Sequence, residues 1–229
     1  MGDQKHNIPR GVIVEFDFTA FDGAQLLFDI AKEVLAKYGV TLSVKLEAIH
    51  LVGGNCHGGV RELFSALDNN GDASACASEI VDTFRTALAE KVSAAAADPN
   101  VKAFLDTLVA KQVQVVISTR ANIPDIRHAF EIYDGTLVTL YGESTTVYGN
   151  CRWDAWRRAC VGNDLHALLT VAVAGSGKGV KGALVAGMSA AGVIHPHTEW
   201  QDFGGADAIS TQLDKAFAEH ILRVLRIDD

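Results

Sequence analysis

The sequence predicts an α/β fold, in which helices surround a parallel sheet and a helical block is inserted near the start of the chain. Three observations support this prediction. Short runs of β-branched and other apolar residues recur along the chain, as in strands that are buried on both faces. Segments with helical periodicity separate these runs, which is typical of parallel strands joined by crossover helices. Several consecutive helical patterns follow the first run, which predicts a cap over the carboxyl ends of the strands.

The first predicted strand is Gly11–Val14, which ends in two acids, Glu15 and Asp17. Its three β-branched residues in a row indicate a short strand that is buried on both faces. Open α/β sheets place their ligand crevice at the carboxyl ends of such strands. We therefore expect a functional site around these two carboxylates.

Helical periodicity then predicts a helix that begins after Asp22 and ends at Gly39. The further predicted helices are Lys45–Val52, Val60–Leu67, Ser78–Val92, Val101–Lys111, Pro124–Tyr133, Asp154–Val161, Gly177–Ala186 and Thr211–Leu225, and the further strands are Val113–Ser118, Leu137–Tyr141, Leu168–Val173 and Ala190–Ile194. This order predicts a sheet core of residues 1–21 and 96–229 and a helical cap of residues 22–95.

The composition of the chain argues against several classes of function and of structural site. The 229 residues carry a formal net charge of -8, which argues against nucleic acid or an anionic membrane as a partner. The stretch Met1–Arg10 is polar and no apolar run reaches membrane-spanning length, so we expect a cytoplasmic, soluble protein. The four cysteines have spacings that suggest neither a zinc site nor a disulfide framework. The oligomeric state does not follow from these features.

Three motifs in order resemble the haloacid dehalogenase superfamily, in the helical-cap branch of the β-phosphoglucomutase-like and phosphoglycolate phosphatase-like proteins. The stretch from Arg10 to Asp22 is similar to the family's strand, Asp-x-Asp-Gly-Thr loop and Val-Asp-Ser. The strand ending at Ser118 resembles the second motif, and Val171–Ile194 has the rhythm of the fourth region. The resemblance implies a Rossmann-like sheet core with an inserted helical cap.

The resemblance also implies roles for individual residues. In such enzymes the first Asp attacks phosphorus, and the second Asp transfers the proton. A Ser or Thr and a Lys stabilise the phosphoryl oxygens, and Mg²⁺ is held by the first Asp and by acids of the fourth motif. Glu15 and Asp17 stand at the two catalytic positions. The expected phosphate- or substrate-binding residues are Thr19, Ser118, Thr119, Arg152, Ser176 and Lys178 in the core, and Asn55 and His57 in a cap loop.

The sequence departs from the family pattern at the positions of the nucleophile, the lysine and the metal-binding acids. Glu15 replaces the nucleophilic Asp, and Asn150 stands in place of the Lys, with Arg152 as the nearest cation. Ala174-Gly175-Ser176 replaces the motif that normally carries the metal-binding acids. We therefore expect a catalytically impaired relative that binds a small phosphorylated molecule or inorganic anion without a cofactor. The alternative is a divergent but active phosphatase that uses Glu15, Asp17 and Mg²⁺.

Two further interpretations of the crevice stay open. If Asp17 were the nucleophile, Thr19 would take the second position, but Glu15 would then be buried in the strand without an obvious partner, which is costly. In a purely structural role, Phe18 would plug the pocket. Lys178 and Lys181, on the first turns of a predicted helix, either bind an anion at the helix N-terminus or face solvent.

Other features have alternative readings too. Asn55 and His57 belong either to a specificity loop or to an ordinary connection between helices. The stretch His195–Glu199 contains His-x-His, which could ligate a metal but is more often a surface turn. Trp153 and Trp156 are three residues apart on a predicted helix, so we expect both to pack in the core.

Overall fold

The computed structural model describes residues 9–51, 55–142 and 153–227. Six parallel strands form one sheet, in the order β3-β2-β1-β4-β5-β6. They are β1 (Gly11–Glu15), β2 (Gln114–Thr119), β3 (Val138–Gly142), β4 (Thr170–Ala174), β5 (Ser189–Val193) and β6 (Ala208–Ser210). Helices connect most of these strands, which confirms the predicted fold class.

The α-helices are α1 (Phe16–Thr19), α2 (Gly23–Lys37), α3 (Val44–Leu46), α4 (Cys56–Ala66), α5 (Ala73–Ala97), α6 (Pro99–Ala110), α7 (Ile123–Ile126), α8 (Trp153–Val161), α9 (Gly177–Val185) and α10 (Lys215–Val224). A π-helical turn covers Glu47–Leu51, and 3₁₀ segments cover Arg127–Tyr133, Ala167–Leu169 and Pro196–Thr198. None of the described helices is both long and apolar enough to cross a membrane.

Strand β1 is completely buried, because both faces of the sheet are covered. Its side chains alternate between two hydrophobic clusters, as the period of two residues in a strand requires. Val12 and Val14 belong to the cluster shared with the helical insert, α6 and α10. Ile13 points to the opposite face and joins the cluster that contains Trp156 of α8 and Val180 of α9.

The strand order places the candidate site beside β1. The chain adds β2 and β3 on one side of β1 and then returns to place β4 on the other side. Ligands of open α/β sheets bind outside the carboxyl ends of the strands at such a reversal. Glu15 is the last residue of β1 and is in register with Ser118 of β2. The side chains that follow these strands therefore meet at one point.

Helices α2 to α5 form the insert between β1 and β2. The predicted end of the first of these helices at Gly39 is confirmed, and this glycine has a φ of 75° that favours glycine. The rings of Phe18 in α1 and Phe84 in α5 lie 6.1 Å apart and connect the insert to the crevice. The predicted cap, residues 22–95, contains α2, α3, α4 and all of α5 except its last two residues. The division of the chain into two domains stays a prediction.

Several element boundaries differ from the prediction. Strand β4 begins at Thr170 rather than Leu168, because Ala167–Leu169 is a 3₁₀ turn with Leu168 exposed. The last helix begins at Lys215 because the Asp214 side chain caps it, and β6 before it was not predicted.

Three helical predictions need correction. In place of the predicted helix Lys45–Val52, the described residues form a short α-helix, Val44–Leu46, and a π-helical turn, Glu47–Leu51. The Pro124–Tyr133 pattern forms a short α-helix followed by a 3₁₀ segment. The expectation that Trp153 packs in the core is wrong, because it is 46% exposed whereas Trp156 is fully buried. Trp153 stands at the start of α8 and lines a surface groove with Tyr141 and Val161.

Candidate functional site

The centre of the crevice is an ionic cluster of Glu15, Asp17 and Arg120, which we call the acid–arginine cluster. Glu15 ends β1, Asp17 lies in α1 directly after it, and Arg120 follows β2. Because β1 and β2 are parallel neighbours, their ends bring the two acids and the guanidinium together. The side chains of Arg120 and Asp17 are 1% and 0% exposed, and that of Glu15 is 0% exposed.

Both oxygens of the Asp17 carboxylate accept hydrogen bonds from the chain after β2. The Thr119 hydroxyl donates to Oδ1 at 2.6 Å. The backbone N–H of Arg120 donates to Oδ2 at 2.7 Å, and its Nη1 donates to the same oxygen at 3.3 Å. The Thr119 oxygen in turn accepts from the backbone N–H of Ala121 at 3.0 Å. Asp17 is thus a well-satisfied buried acid.

The Glu15 carboxylate is also bonded through both oxygens. The Nη2 of Arg120 donates to Oε1 at 2.9 Å, and the backbone N–H of Gly175 donates to Oε2 at 3.2 Å. One guanidinium therefore bridges the two positions that the family resemblance assigns to nucleophile and proton-transfer acid. The fork of an arginine side chain suits such bridging of carboxylates.

Phe18 and Gly175 close the cluster on its remaining sides. The guanidinium carbon of Arg120 lies 4.8 Å from the centre of the Phe18 ring, within the range of a cation–π interaction. A Cβ atom on Gly175 would lie 1.9 Å from the carbonyl oxygen of Phe18 and 2.5 Å from its Cβ. The position of the Phe18 backbone thus requires glycine at 175. Phe18 is 4% exposed, so it fills the crevice together with Arg120.

Within the acid–arginine cluster, burial and ion pairing act in opposite directions on the pKa of Asp17. Removal from water raises the pKa of the Asp17 carboxyl above its ordinary value, whereas the charge of Arg120 and the donors of Thr119 and Arg120 oppose this rise. A permanent cation inside the crevice is therefore required to keep two buried carboxylates compatible with the fold.

The residues of the crevice do not fit a Mg²⁺ site. Octahedral Mg²⁺ prefers several carboxylate or other oxygen ligands, but the Arg120 guanidinium is bonded to both Glu15 and Asp17, so a metal cation would have to displace a permanent positive charge. Ala174 and Gly175 offer no side-chain ligand where the family places acids, and the Phe18 backbone leaves no room for one at 175. Within the described ranges, no group of three or more His, Cys, Asp or Glu side chains could hold a metal ion.

Three of the four hydroxyl-bearing residues predicted to bind phosphate, Thr19, Thr119 and Ser176, are bonded to other groups of the protein. The Thr19 hydroxyl donates to the backbone carbonyl of Glu15 at 2.9 Å. Ser118 is buried beside Glu15 in the sheet register, and Thr119 contacts Asp17. The Ser176 side chain caps α9 by accepting from the Gly179 N–H at 3.0 Å. Thr19, Ser118 and Thr119 therefore surround the acid–arginine cluster.

The other predicted binding residues are distributed differently. Lys178 lies on the first turn of α9 and lines a cavity of about 180 Å³ with Lys181, Trp200 and Ala48. Asn55 caps α4 by accepting from the Gly58 N–H, and His57 lies 3.3 Å from the Ser78 hydroxyl, so both bond within the insert. Arg152 and the Asn150 position lie outside the described residues.

Arg120 was not predicted from the sequence. Its position also changes the expectation that a buried Glu15 would lack a partner. The register with Asp17 as nucleophile was disfavoured because Glu15 would lack a partner, but Glu15 has Arg120. A usable signal existed. Two acids at the end of a buried strand need a compensating cation, and Arg120 follows the end of the next strand of the core.

Comparison with known proteins gives a match at the level of structure only. No protein-family model matches this sequence, and no curated protein matches it. β-Phosphoglucomutase from Clostridium difficile is 12% identical, with a TM-score of 0.72 over 96% of this chain and 98% of that chain. A conserved haloacid dehalogenase-like protein of unknown function from Agrobacterium tumefaciens is 14% identical, with a TM-score of 0.63 over 94% of this chain and 99% of that chain.

A third similar structure was crystallised with a ligand. CbbY from Rhodobacter sphaeroides, a mutant in complex with xylulose-(1,5)bisphosphate, is 16% identical, with a TM-score of 0.65 over 90% of this chain and 95% of that chain. Identities of this size concern the fold and not the activity. On this evidence the chain shares the fold of these structures, a parallel sheet with an inserted block of helices.

Proposed function

We propose that this protein binds a small phosphorylated molecule or inorganic anion and does not hydrolyse it, and that binding needs no Mg²⁺. The single observation that supports the proposed absence of hydrolysis is the position of Arg120 between Glu15 and Asp17. The fold analogy supplies only the class of ligand, because the similar CbbY structure was crystallised with a bisphosphate.

Phosphoryl transfer requires a nucleophilic oxygen that can approach phosphorus to about 3–3.5 Å in line with the leaving group. The Glu15 oxygens are held by Arg120 and by the Gly175 N–H, and the side chain has no exposed surface. Phe18 occupies the remaining space next to the guanidinium. A substrate phosphate would have to displace Arg120, which would leave two buried carboxylates without their cation. That displacement costs several kcal/mol.

The cavity over α9 is the place where we propose that an anion binds. Lys178, Lys181 and Trp200 line it, and Ala48 of the insert closes one side. Lys181 is paired with Asp202 at 2.7 Å, but both side chains are more than half exposed. Exposed ion pairs of this kind contribute little, typically about 0–1 kcal/mol. A phosphate can therefore compete with Asp202 for this lysine at small cost.

The second candidate is a divergent phosphatase that acts through Glu15 and Asp17. One observation favours it, since burial raises the pKa of Asp17, as a general acid requires. The two candidates differ in turnover. We would measure hydrolysis of a generic phosphate ester with excess Mg²⁺ by the unmodified protein and by Asp17→Asn, and we expect no turnover from either. Turnover that Asp17→Asn abolishes would overturn the proposal in favour of the phosphatase.

Binding is tested separately, with inorganic phosphate and with a sugar phosphate in the presence of a chelator. A ligand that binds only the folded state raises the melting temperature by mass action. We expect a rise for the unmodified protein and a smaller rise for Lys178→Ala/Lys181→Ala. Lys32→Ala, which removes an exposed lysine of α2, is the matched control. Equal shifts in all three proteins, or no shift, would contradict binding at this cavity.

A further inference from the structure

A buried ion pair joins the helical insert to the core at the turn after β5. The Nε2 of His197 lies 2.9 Å from Oε2 of Glu47, which begins the π-helical turn of the insert. The side chains of His197 and Glu47 are only 7% and 2% exposed. The predicted turn at His195–Glu199 is present, since Pro196–Thr198 is a 3₁₀ segment. It is not a surface turn throughout, because the side chains of His197 and Thr198 are buried.

The same turn contacts helix α2 through further groups. The backbone N–H of His197 donates to Oδ2 of Asp22 at 3.3 Å, while Oδ1 of Asp22 caps α2 by accepting from the Gln25 N–H. The ring of Phe28 lies 5.1 Å from the His197 ring. The imidazole is therefore enclosed by two parts of the insert, α2 and the π-helical turn.

Within the described part of the chain, the charged groups that act on His197 are acids. Glu47, Asp22 and Asp29 each favour its protonated form, and the pKa of His197 lies above its ordinary value chiefly because of the Glu47 hydrogen bond. Asp22 and Asp29 have other donors, from the Gln25 backbone and side chain. In the part of the chain that is described, His197 is the one side chain that bonds Glu47.

A second histidine on this turn behaves oppositely. Burial lowers the pKa of His195, against the charge of Asp22. Its Nε2 is a buried atom without a hydrogen-bond partner among the described residues. The pKa of His195 therefore lies below that of His197, and the two residues can be distinguished by titration.

We propose that the His197–Glu47 pair is a proton-dependent latch, in which the imidazolium holds the helical insert on the core turn and its deprotonation releases this junction. The latch lies at the edge of the 180 Å³ cavity, because Ala48 follows Glu47 and Trp200 donates its indole N–H to the His197 carbonyl at 2.7 Å. Release therefore widens the cavity from the insert side. The proposal does not depend on which ligand the cavity takes.

The direction of the effect follows from linkage. A histidine whose pKa is raised by folding contributes stability that is fully present below its unfolded value of about 6.5 and is lost as the pH rises through the folded value. Above that pH, Glu47 remains a buried carboxylate beside a neutral ring. The hydrogen bond to this carboxylate then loses the positive charge of its donor and is weaker.

Hydrogen exchange followed by mass spectrometry tests the latch at about pH 6 and about pH 8.5, after correction for intrinsic rates. We expect the protection of residues 44–51 to fall about tenfold between these conditions, the change expected when the donor of a hydrogen bond to a buried carboxylate loses its charge. In Glu47→Gln, which is nearly isosteric and uncharged, protection should be independent of pH. His50→Gln, on the same π-helical turn, is the control and should behave like the unmodified protein.

Proton NMR of the imidazoles in the unmodified protein provides a readout that does not depend on a variant folding. In the unmodified protein His197 should titrate above the ordinary value, and in Glu47→Gln this titration should move down. Titration of His197 at or below the ordinary value would overturn the proposal. So would an equal, pH-dependent loss of protection in the unmodified protein and in Glu47→Gln.

Discussion

The molecule contains two buried ionic contacts that differ in the kind of cation. In the crevice, Arg120 neutralises Glu15 and Asp17, and at the junction of insert and core, His197 pairs with Glu47. Arginine stays charged at any physiological pH, whereas histidine titrates near neutrality. A buried carboxylate is thus stabilised by a permanent charge at the centre of the fold and by a titratable charge at the junction of insert and core.

The two contacts also differ in their support. The acid–arginine cluster is reinforced by the Thr119 hydroxyl and by the backbone N–H groups of Arg120 and Gly175. Within the described ranges, the Glu47 side chain bonds one histidine nitrogen. The first arrangement is therefore a rigid part of the core, and the second is a single contact whose loss changes the junction locally.

The largest effect is expected from Arg120→Met, which leaves Glu15 and Asp17 buried without a cation. Breaking a buried ion pair from one side costs about 3–5 kcal/mol of unfolding free energy. Because loss of the arginine charge raises the pKa of Asp17 further, the variant should be least stable at high pH and should recover as the carboxylates take up protons at low pH. Denaturant titrations at several pH values measure the free energy of unfolding of Arg120→Met and of the unmodified protein.

Arg120→Lys is the control for that variant, since it keeps the charge and loses the fork geometry. It should be destabilised less than Arg120→Met at neutral pH. A free energy of unfolding for Arg120→Met within about 0.5 kcal/mol of the unmodified protein, the range of ordinary surface substitutions, would show that the cluster is not the electrostatic centre that we describe.

A smaller effect is expected from Gly175→Ala. The new Cβ would lie 1.9 Å from the Phe18 carbonyl oxygen, a backbone atom that cannot move aside as a side chain can. Overpacking of this kind costs about 1–3 kcal/mol. At Gly142 a Cβ would meet only Ile123 at 3.6 Å, an ordinary contact, so Gly142→Ala should leave the melting temperature nearly unchanged. Equal melting temperatures for the two variants would contradict the coupling of Phe18 and Gly175.

The smallest effect is expected from His197→Gln, which keeps a hydrogen-bond donor beside Glu47 but no charge. We expect a loss of about 1–2 kcal/mol at pH values below about 6.5, where His197 is protonated in both states, and a smaller loss above the folded pKa. Denaturant midpoints at these two pH values measure the difference. A loss that grows with pH would reverse the assigned sign and remove the contrast between the two ionic contacts.

Much of the fold could be predicted because it depends on patterns of neighbouring residues. The apolar run Val12–Val14 indicated a central strand, and Gly39 marked the end of the first helix of the insert. The crevice position of Glu15 and Asp17 followed from their place at the end of that strand. Trp153 was misassigned because periodicity gives the relative direction of two side chains but not what covers each of them.

The sequence by itself determined the parallel sheet, the helical insert and the two acids at the carboxyl end of β1, because periodicity and turn residues act over a few positions. Only the tertiary structure decided which cation those acids receive, since Arg120 lies 105 positions from Glu15 and the contact exists only when β1 and β2 pair. The same holds for Glu47 and His197, which are 150 positions apart. Burial makes such distant pairings obligatory, because a carboxylate removed from water needs a partner, and the packing of the chain selects that partner.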